Sequence, residues 1–312
     1  MSKSWTVVAA AAMLLPVSLG MVLAQAPQPN PADSKYQSKG DQDRTYMFPG
    51  TSESIAYHIY VPTKWEKNTK LPLVILTHGA NQAATAPFQR PMATPTLAKT
   101  AEARGYIVVG VTGYHANATA VPTADAPHWN VPYPMVTVAS QRGAGGGAGG
   151  GRGGGGGSGR GGAAAAAPPT AEDFARAELD ILYVADLVAK EYNADPSRIY
   201  LMGNSSGGGA VWNVAAKYPE RWTAISPSAA PLQDATFPYE KLKTVPVLAV
   251  HGDMDTVMAF DAGKVMVDHA KAKGVDATWL PVIGGAHTDA WAQQDILNKT
   301  FDFFDAHKTK LK

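Results

Sequence analysis

Residues 198–209 read Arg-Ile-Tyr-Leu-Met-Gly-Asn-Ser-Ser-Gly-Gly-Gly, and this stretch decides the fold. Residues 198–202 predict a short strand, and residues 206–217 predict the helix that follows it. Between them, residues 203–207 match the pattern G-x-S-x-G, which places a serine on a sharp turn between a strand and a helix. Small residues are needed on both sides because the turn is too tight for bulky neighbours. We therefore predict that Ser205 is a nucleophile.

A serine hydroxyl is a weak nucleophile at neutral pH and needs a neighbouring base, usually a histidine held in one tautomer by a carboxylate. His287 lies in a loop of small residues directly after a predicted strand at 278–282. That position places it at the edge of the sheet where strands end. We predict that His287 is the general base.

Two carboxylates are candidates for the third member of this set. Asp253 and Asp255 both follow the predicted strand at 246–251, within a turn that starts at His251. Both precede His287 in the chain, so either one gives the order Ser, Asp, His that is typical of α/β-hydrolases.

The rest of the chain alternates predicted strands and helices, which favours a mostly parallel sheet covered by helices on both faces. An antiparallel hairpin is expected at the N-terminal side, with strands at 44–48 and 54–61 joined by Pro-Gly-Thr at 49–51. The remaining predicted strands are 71–77, 106–111 and 223–226, and the remaining predicted helices are 97–104, 171–192, 261–273 and 289–307. The predicted fold class is therefore α/β.

Acyl transfer also needs donors for a developing oxyanion. These are typically the backbone N–H after the nucleophile and one from the loop after an early strand. The corresponding residues here are Ser206 and Ala80, the latter within His-Gly-Ala-Asn-Gln at 78–82.

The chain resembles α/β-hydrolases of the secreted esterase group that includes polyhydroxybutyrate-depolymerase-like and feruloyl-esterase-like proteins. The resemblance rests on Ile-Tyr-Val-Pro at 59–62, on residues 78–82, on Asp-Pro-Ser-Arg-Ile-Tyr at 195–200 and on the positions of the serine, acid and histidine. It covers roughly residues 46–307 apart from a glycine-rich stretch.

This resemblance implies a serine esterase that cleaves carboxylic esters through an acyl-enzyme, with neither a cofactor nor a metal. Its H-G-x-x-D pattern selects Asp255 as the acid and leaves Asp253 to cap the turn. The implied substrate is a small-molecule ester or a plant or polymer ester. Two other functions stay open: a serine peptidase of the prolyl-oligopeptidase type, and a non-catalytic binding protein with a hydrolase fold.

The first 24 residues have the pattern of a secretory signal peptide. Lys3 supplies a positive charge, a mostly apolar stretch follows, and small-residue cleavage chemistry ends at Ala24. The alternative is an uncleaved membrane anchor, which Pro16 and Gly20 disfavour. We expect a secreted or periplasmic protein with an extended leader at 25–43 and no stable membrane insertion after the signal is removed.

One catalytic domain is expected at 44–312, because 45% apolar and 17% charged residues suit a globular chain. Residues 143–162 are almost entirely glycine and predict a disordered insertion. Arginine within glycine tracts is also found in RNA-binding segments. However, 27 basic against 26 acidic residues disfavour a nucleic acid partner. The absence of cysteine excludes disulfides and thiolate chemistry.

A substrate pocket is predicted next to this insertion. The connection from 112 to 170 leaves the sheet at its carboxyl edge, where ligands bind in open α/β sheets. Trp129 and Tyr133 lie in its most aromatic part, and we predict that they contact the acyl group of the substrate.

Overall fold

Eight strands form one sheet in the computed structural model, which describes residues 25–80, 84, 97–114, 129, 132–143 and 170–309. The order across the sheet is β1-β2-β4-β3-β5-β6-β7-β8. The pairs β1–β2 and β2–β4 are antiparallel, and every other pair is parallel. The strands are β1 Gly40–Met47, β2 Ser54–Val61, β3 Leu73–Thr77, β4 Ile107–Val111, β5 Ile199–Asn204, β6 Ala224–Ser228, β7 Val247–Gly252 and β8 Ala277–Val282.

Helices cover both faces of this sheet. Those of the described residues are α1 Leu97–Arg104, α2 Val138–Gly143, α3 Ala171–Glu191, α4 Ser206–Lys217, α5 Phe260–Ala272 and α6 Gln294–Ala306. The apolar side chains of α1 and α6 pack in one core cluster, and those of α3, α4 and α5 pack in another. Strands β3 and β4 between the two layers are buried along their whole length. The predicted α/β architecture with helices on both faces is confirmed.

Helix α3 shows how local sequence sets an element. Thr170 accepts a hydrogen bond from Asp173 N, and the Asp173 side chain accepts one from Thr170 N, which forms a capping box. The buried face that follows includes Ile181, Val184 and Val188 at helical spacing. This amphipathic pattern is what predicted the helix from the sequence.

The predicted hairpin is present, but its first strand begins at Gly40 rather than at 44, inside the segment expected to be an extended leader. The polar residues Gln42 and Arg44 face inward on β1 and concealed the strand in the sequence. Arg44 donates hydrogen bonds to Glu191 at the end of α3, and this partner makes its burial tolerable.

The predicted helix at 289–307 is divided. Residues Asp289–Trp291 form a 3₁₀ turn before α6 begins at Gln294. The backbone is extended at Gln293 (φ −96°, ψ 122°), so the 3₁₀ turn does not continue into α6 and the helix starts anew at the next residue.

Two predicted segments lie outside the described residues: the signal peptide at 1–24 and the glycine-rich insertion, of which only Gly143 is described. In the described part of the chain, no helix combines the length and the apolar character needed to cross a membrane.

Candidate active site

Ser205 lies on the turn between β5 and α4, as predicted. Its backbone has φ 58° and ψ −127°, a conformation that side chains other than glycine rarely adopt. Its N–H donates to Ser228 O at 2.9 Å, and its carbonyl accepts from Gly209 N at 3.0 Å. These bonds hold the strained turn and raise the hydroxyl at the carboxyl edge of the sheet.

The glycines on both sides of Ser205 are required by close packing. A Cβ at Gly203 would lie 2.0 Å from Thr77 Oγ1. A Cβ at Gly207 would lie 2.4 Å from the carbonyl oxygens of Thr77 and His78. The turn is therefore pressed against the end of β3, which explains the G-x-S-x-G spacing in physical terms.

His287 reaches Ser205 from the loop after β8. Its Nε2 lies 2.9 Å from Ser205 Oγ, in the geometry of a hydrogen bond in which the hydroxyl donates. The loop is fixed on the turn after β7, because Asp253 Oδ1 accepts from Gly284 N at 2.7 Å. Met254 N also donates to Gly285 O at 2.9 Å. The histidine side chain is 19% exposed, so it remains accessible from outside.

Asp255 and not Asp253 is the carboxylate beside His287. The Nδ1 of His287 donates to Asp255 Oδ2 at 2.8 Å. The other oxygen, Oδ1, accepts from Val257 N at 2.8 Å and from Met258 N at 2.9 Å. The Asp255 side chain has no exposed surface. Asp253 instead accepts from Gly284 N in the neighbouring loop, whereas the sequence predicted that it caps its own turn.

The electrostatics keep Asp255 ionised. Burial alone would raise its pKa, but the hydrogen bonds from His251, His287 and the two backbone N–H groups outweigh burial. They hold the pKa of this carboxyl well below its usual range. A buried carboxylate in this state can fix the tautomer of His287 and stabilise the imidazolium that forms when the histidine takes up a proton.

A second histidine, not predicted from the sequence as a site residue, also contacts the acid. His251 at the end of β7 places its Nε2 3.0 Å from Asp255 Oδ2, and its ring is buried. It belongs to the turn quoted for the acid, and its spacing of four residues from Asp255 was the available signal.

The predicted oxyanion donors lie on two adjoining segments of the carboxyl edge. Ser206 is the first residue of α4, where a backbone N–H has no partner within the helix. Ala80 follows β3 in the loop that Gly207 touches, and it is exposed. The structure therefore brings the two segments together at Ser205.

Trp129 lies beneath this loop rather than in an open pocket. It is 5% exposed, and its Nε1 donates to His78 O at 2.8 Å. Its ring fills the space beside Gly113, where a Cβ would lie 2.8 Å from the indole. Tyr133 is partly exposed and packs on Phe237 at 5.1 Å between ring centroids. A contact of either residue with substrate stays a prediction.

No group of three or more histidine, cysteine or acidic side chains within the described ranges is arranged to hold a metal ion. The chemistry that the arrangement supports is nucleophilic attack by Ser205, with His287 accepting the proton.

Known proteins resemble this chain over part of its sequence and in its fold. No protein-family model matches the chain. A Nocardia uniformis subsp. tsuyamanensis protein described as "Putative esterase NocK" is 32% identical over 94 residues, which are 30% of this chain and 26% of that protein. An Acanthamoeba polyphaga mimivirus protein described as "Putative alpha/beta hydrolase" is 27% identical over 139 residues, 38% of this chain and 51% of that protein. The matches thus span about a quarter and about half of the two relatives' lengths.

Among solved structures, a ferulic acid esterase from Anaeromyces mucronatus in complex with ferulic acid superposes with a TM-score of 0.54. It is 14% identical, and the match covers 87% of this chain and 93% of that one. At this level of identity the likeness shows the fold alone. The chain has the α/β-hydrolase fold, and the resemblance to α/β-hydrolases of the esterase group is confirmed at that level.

Proposed function

We propose that this α/β-hydrolase-fold chain is a serine esterase that cleaves carboxylic esters through an acyl-enzyme on Ser205. One observation carries the proposal: a continuous chain of hydrogen bonds runs from Ser205 Oγ to His287 Nε2 and from His287 Nδ1 to Asp255 Oδ2. Nucleophile, base and orienting acid are the three groups that acyl transfer requires, and each holds the next one in place.

The first half-reaction forms the acyl-enzyme. Ser205 Oγ attacks the ester carbonyl carbon while its proton passes to His287 Nε2. The carbonyl oxygen becomes an oxyanion, which the backbone N–H groups of Ser206 and Ala80 stabilise by hydrogen bonding. The carbon–oxygen bond to the alcohol then breaks, and the departing oxygen takes the proton from His287.

The second half-reaction uses the same residues with water as the nucleophile. Water attacks the acyl carbon and gives a proton to His287 Nε2, which returns that proton to Ser205 Oγ as the carboxylic acid leaves. Asp255 stays ionised throughout and stabilises the imidazolium in both halves.

The proposed substrates are small-molecule esters or plant or polymer esters, with ferulate, acetyl and hydroxyalkanoate esters as the classes to examine. The decisive panel contains p-nitrophenyl esters of increasing acyl length, methyl ferulate and a chromogenic peptide containing proline. Ester turnover without peptide cleavage supports the proposal. Cleavage of the peptide alone points to a peptidase, and no turnover of any member points to a binding protein; either result refutes the proposal.

We also propose that residues 1–24 direct export, with cleavage after Ala24. The support is the charged start, apolar stretch and small-residue end of this segment. Intact mass and N-terminal sequencing of the protein recovered outside the cytoplasm test this. A mature chain beginning at Gln25 is the expected result, and a full-length chain retained in the cell refutes it.

A further inference from the structure

His251 contacts the same carboxylate oxygen as His287. Its Nε2 lies 3.0 Å from Asp255 Oδ2, and His287 Nδ1 lies 2.8 Å from that oxygen. The proposed mechanism uses only His287, which faces Ser205. His251 lies on the inner side of the acid, with 1% of its surface exposed.

With His251 included, the carboxylate of Asp255 has four donors. Two imidazole groups bind Oδ2, and the N–H groups of Val257 and Met258 bind Oδ1. An ionised carboxylate has about four lone-pair sites, so its capacity is filled. Because the Asp255 side chain has no exposed surface, water does not readily replace a donor that is lost.

The surroundings of His251 hold its ring in one orientation. Phe260 and Trp279 lie 5.7 Å and 5.9 Å from it between ring centroids. Gly263 on α5 leaves the space that the ring needs, since a Cβ there would lie 2.9 Å from both His251 Nδ1 and the Trp279 ring. The ring is therefore wedged with its Nε2 aimed at Asp255.

Few other charged groups lie close to His251 and Asp255. The elements packed on the ring contribute aromatic rings and a glycine, while the nearest charged residues of α5, Asp261 and Lys264, are exposed. On the facing loops, Asp253 accepts from Gly284 N and Asp289 accepts from Ala286 N. The ionisable groups in direct contact at the acid are thus His251, Asp255 and His287.

We propose that His251 is a positioning residue of the catalytic centre, which fixes the Asp255 carboxylate and shares its Oδ2 with His287. The inference rests on the proposed function, because it concerns the same site. It has two consequences. Without His251 the acid orients His287 less well, so turnover falls. Without the donor from His251, Asp255 Oδ2 also attracts the His287 imidazolium more strongly, so the pH at which kcat/KM is half-maximal moves upward.

The test compares two substitutions at this position. His251→Phe keeps an aromatic ring and removes the N–H, whereas His251→Gln places an amide N–H near the original Nε2. The matched control is His269→Phe. His269 lies on α5, where it pairs with Asp234 away from His251, Asp255 and His287. Each variant is measured for kcat and KM on p-nitrophenyl acetate and for the pH dependence of kcat/KM.

We expect H251F to lower kcat by about tenfold to a hundredfold, the effect of losing a hydrogen bond to a charged group, with KM within about twofold. The half-maximal pH of kcat/KM moves upward in H251F and stays near the wild-type value in H251Q and H269F. Wild-type kinetics in H251F overturn the inference. Equal losses in H251F and H251Q with an unmoved pH profile also overturn it, because they indicate a packing role alone.

If H251F does not fold, Gly263→Ala gives the same test by displacing the ring without removing it, and the same fall in kcat and upward pH shift are expected. Labelling with a fluorophosphonate separates this inference from the proposed function. Ser205 Oγ attacks phosphorus, fluoride leaves, and the proton passes to His287. A wild-type chain that is labelled but hydrolyses no ester refutes the proposed function, whereas equal labelling rates in wild type and a folded H251F refute the role of His251.

Discussion

Ser205 is held in a backbone conformation that costs a residue other than glycine about 1–3 kcal/mol. Its hydrogen bonds to Ser228 and Gly209 offset this cost, together with the packing of β3 against the flanking glycines. Alanine has the same backbone preferences as serine in this respect, so a Ser205→Ala variant tests the hydroxyl without disturbing the turn.

We expect Ser205→Ala to lower kcat on p-nitrophenyl acetate by about a thousandfold or more, because the nucleophile, the base and the acid act as one unit. Ser206→Ala is the matched comparison. It removes a buried hydroxyl that lacks a hydrogen-bond partner in the described structure and keeps the proposed backbone donor. This variant should lower kcat by less than about tenfold, because it removes a side chain but leaves the nucleophile in place. Similar losses in both variants would contradict the assignment of Ser205.

The same comparison of variants distinguishes the roles of Asp253 and Asp255 in the turn after β7. Asp255→Asn places an amide beside His287 and favours the wrong tautomer, so we expect kcat to fall by about a thousandfold or more. Asp253→Asn keeps an oxygen that can accept from Gly284 N, so it should cost less than about tenfold. Steady-state kinetics with a thermal unfolding control decide, and the reverse ranking would transfer the role to Asp253.

Site residues that belong to a local sequence pattern could be predicted from the sequence. Ser205 is recognisable from its glycines, and His287 from its place after a strand. The place after a strand left Asp253 and Asp255 both open, and the resemblance to α/β-hydrolases selected Asp255. His251 was not predicted as a site residue, because its partner depends on how the turn after β7 folds back. A buried histidine with a carboxylate partner looks the same in sequence as one on a surface.

At the scale of elements, buried groups of β4 and α3 support the loop after β3 through hydrogen bonds and packing. Trp129 donates to His78 O, and Gly113 at the end of β4 makes room for the indole. Gly113 N in turn donates to Asp180 of α3 at 2.7 Å. Burial raises the pKa of Asp180 to about 6, although hydrogen bonds from Tyr46 and backbone N–H groups oppose the rise. Helix α3 thus supports the loop that carries Ala80.

This support gives Trp129 a testable role that differs from contact with the acyl group. Trp129→Phe keeps most of the ring and removes the N–H that His78 O accepts. We expect kcat to fall by about threefold to thirtyfold for every acyl length alike, since the loss acts through the loop that carries Ala80, the proposed oxyanion donor. The measurement is the ratio of variant to wild-type kcat/KM across the p-nitrophenyl panel. A loss that depends on chain length would instead show that Trp129 lines the acyl pocket, as the sequence suggested.

The order of elements was predictable because strands and helices have different periods, but some boundaries were not. Strand β1 carries inward polar residues whose partner, Glu191, is far away in sequence. The last predicted helix is divided where the backbone becomes extended at Gln293. The ion pair of β1 forms only when the sheet is assembled, so the local sequence does not encode it.

At the scale of the whole molecule, the glycine-rich stretch is expected to be a spacer. Of the described residues around it, 138–143 form α2 and Thr170 caps the start of α3. Replacing residues 143–162 by a short Gly-Ser link should leave kcat/KM for p-nitrophenyl acetate within about threefold, because loop-closure entropy changes slowly with length. A large loss with an unchanged unfolding temperature would assign this stretch a part in function.

The central claim is that an acyl group is carried on Ser205 during turnover, and intact-mass analysis of rapidly quenched reactions tests it most directly. The wild-type chain, mixed with a p-nitrophenyl ester and quenched in acid, should gain the mass of the acyl group minus one hydrogen. Peptide mapping should place the adduct on Ser205, and Ser205→Ala should show none. Ester hydrolysis at the wild-type rate by Ser205→Ala, or an adduct on another residue that forms and decays at the turnover rate, would contradict the account.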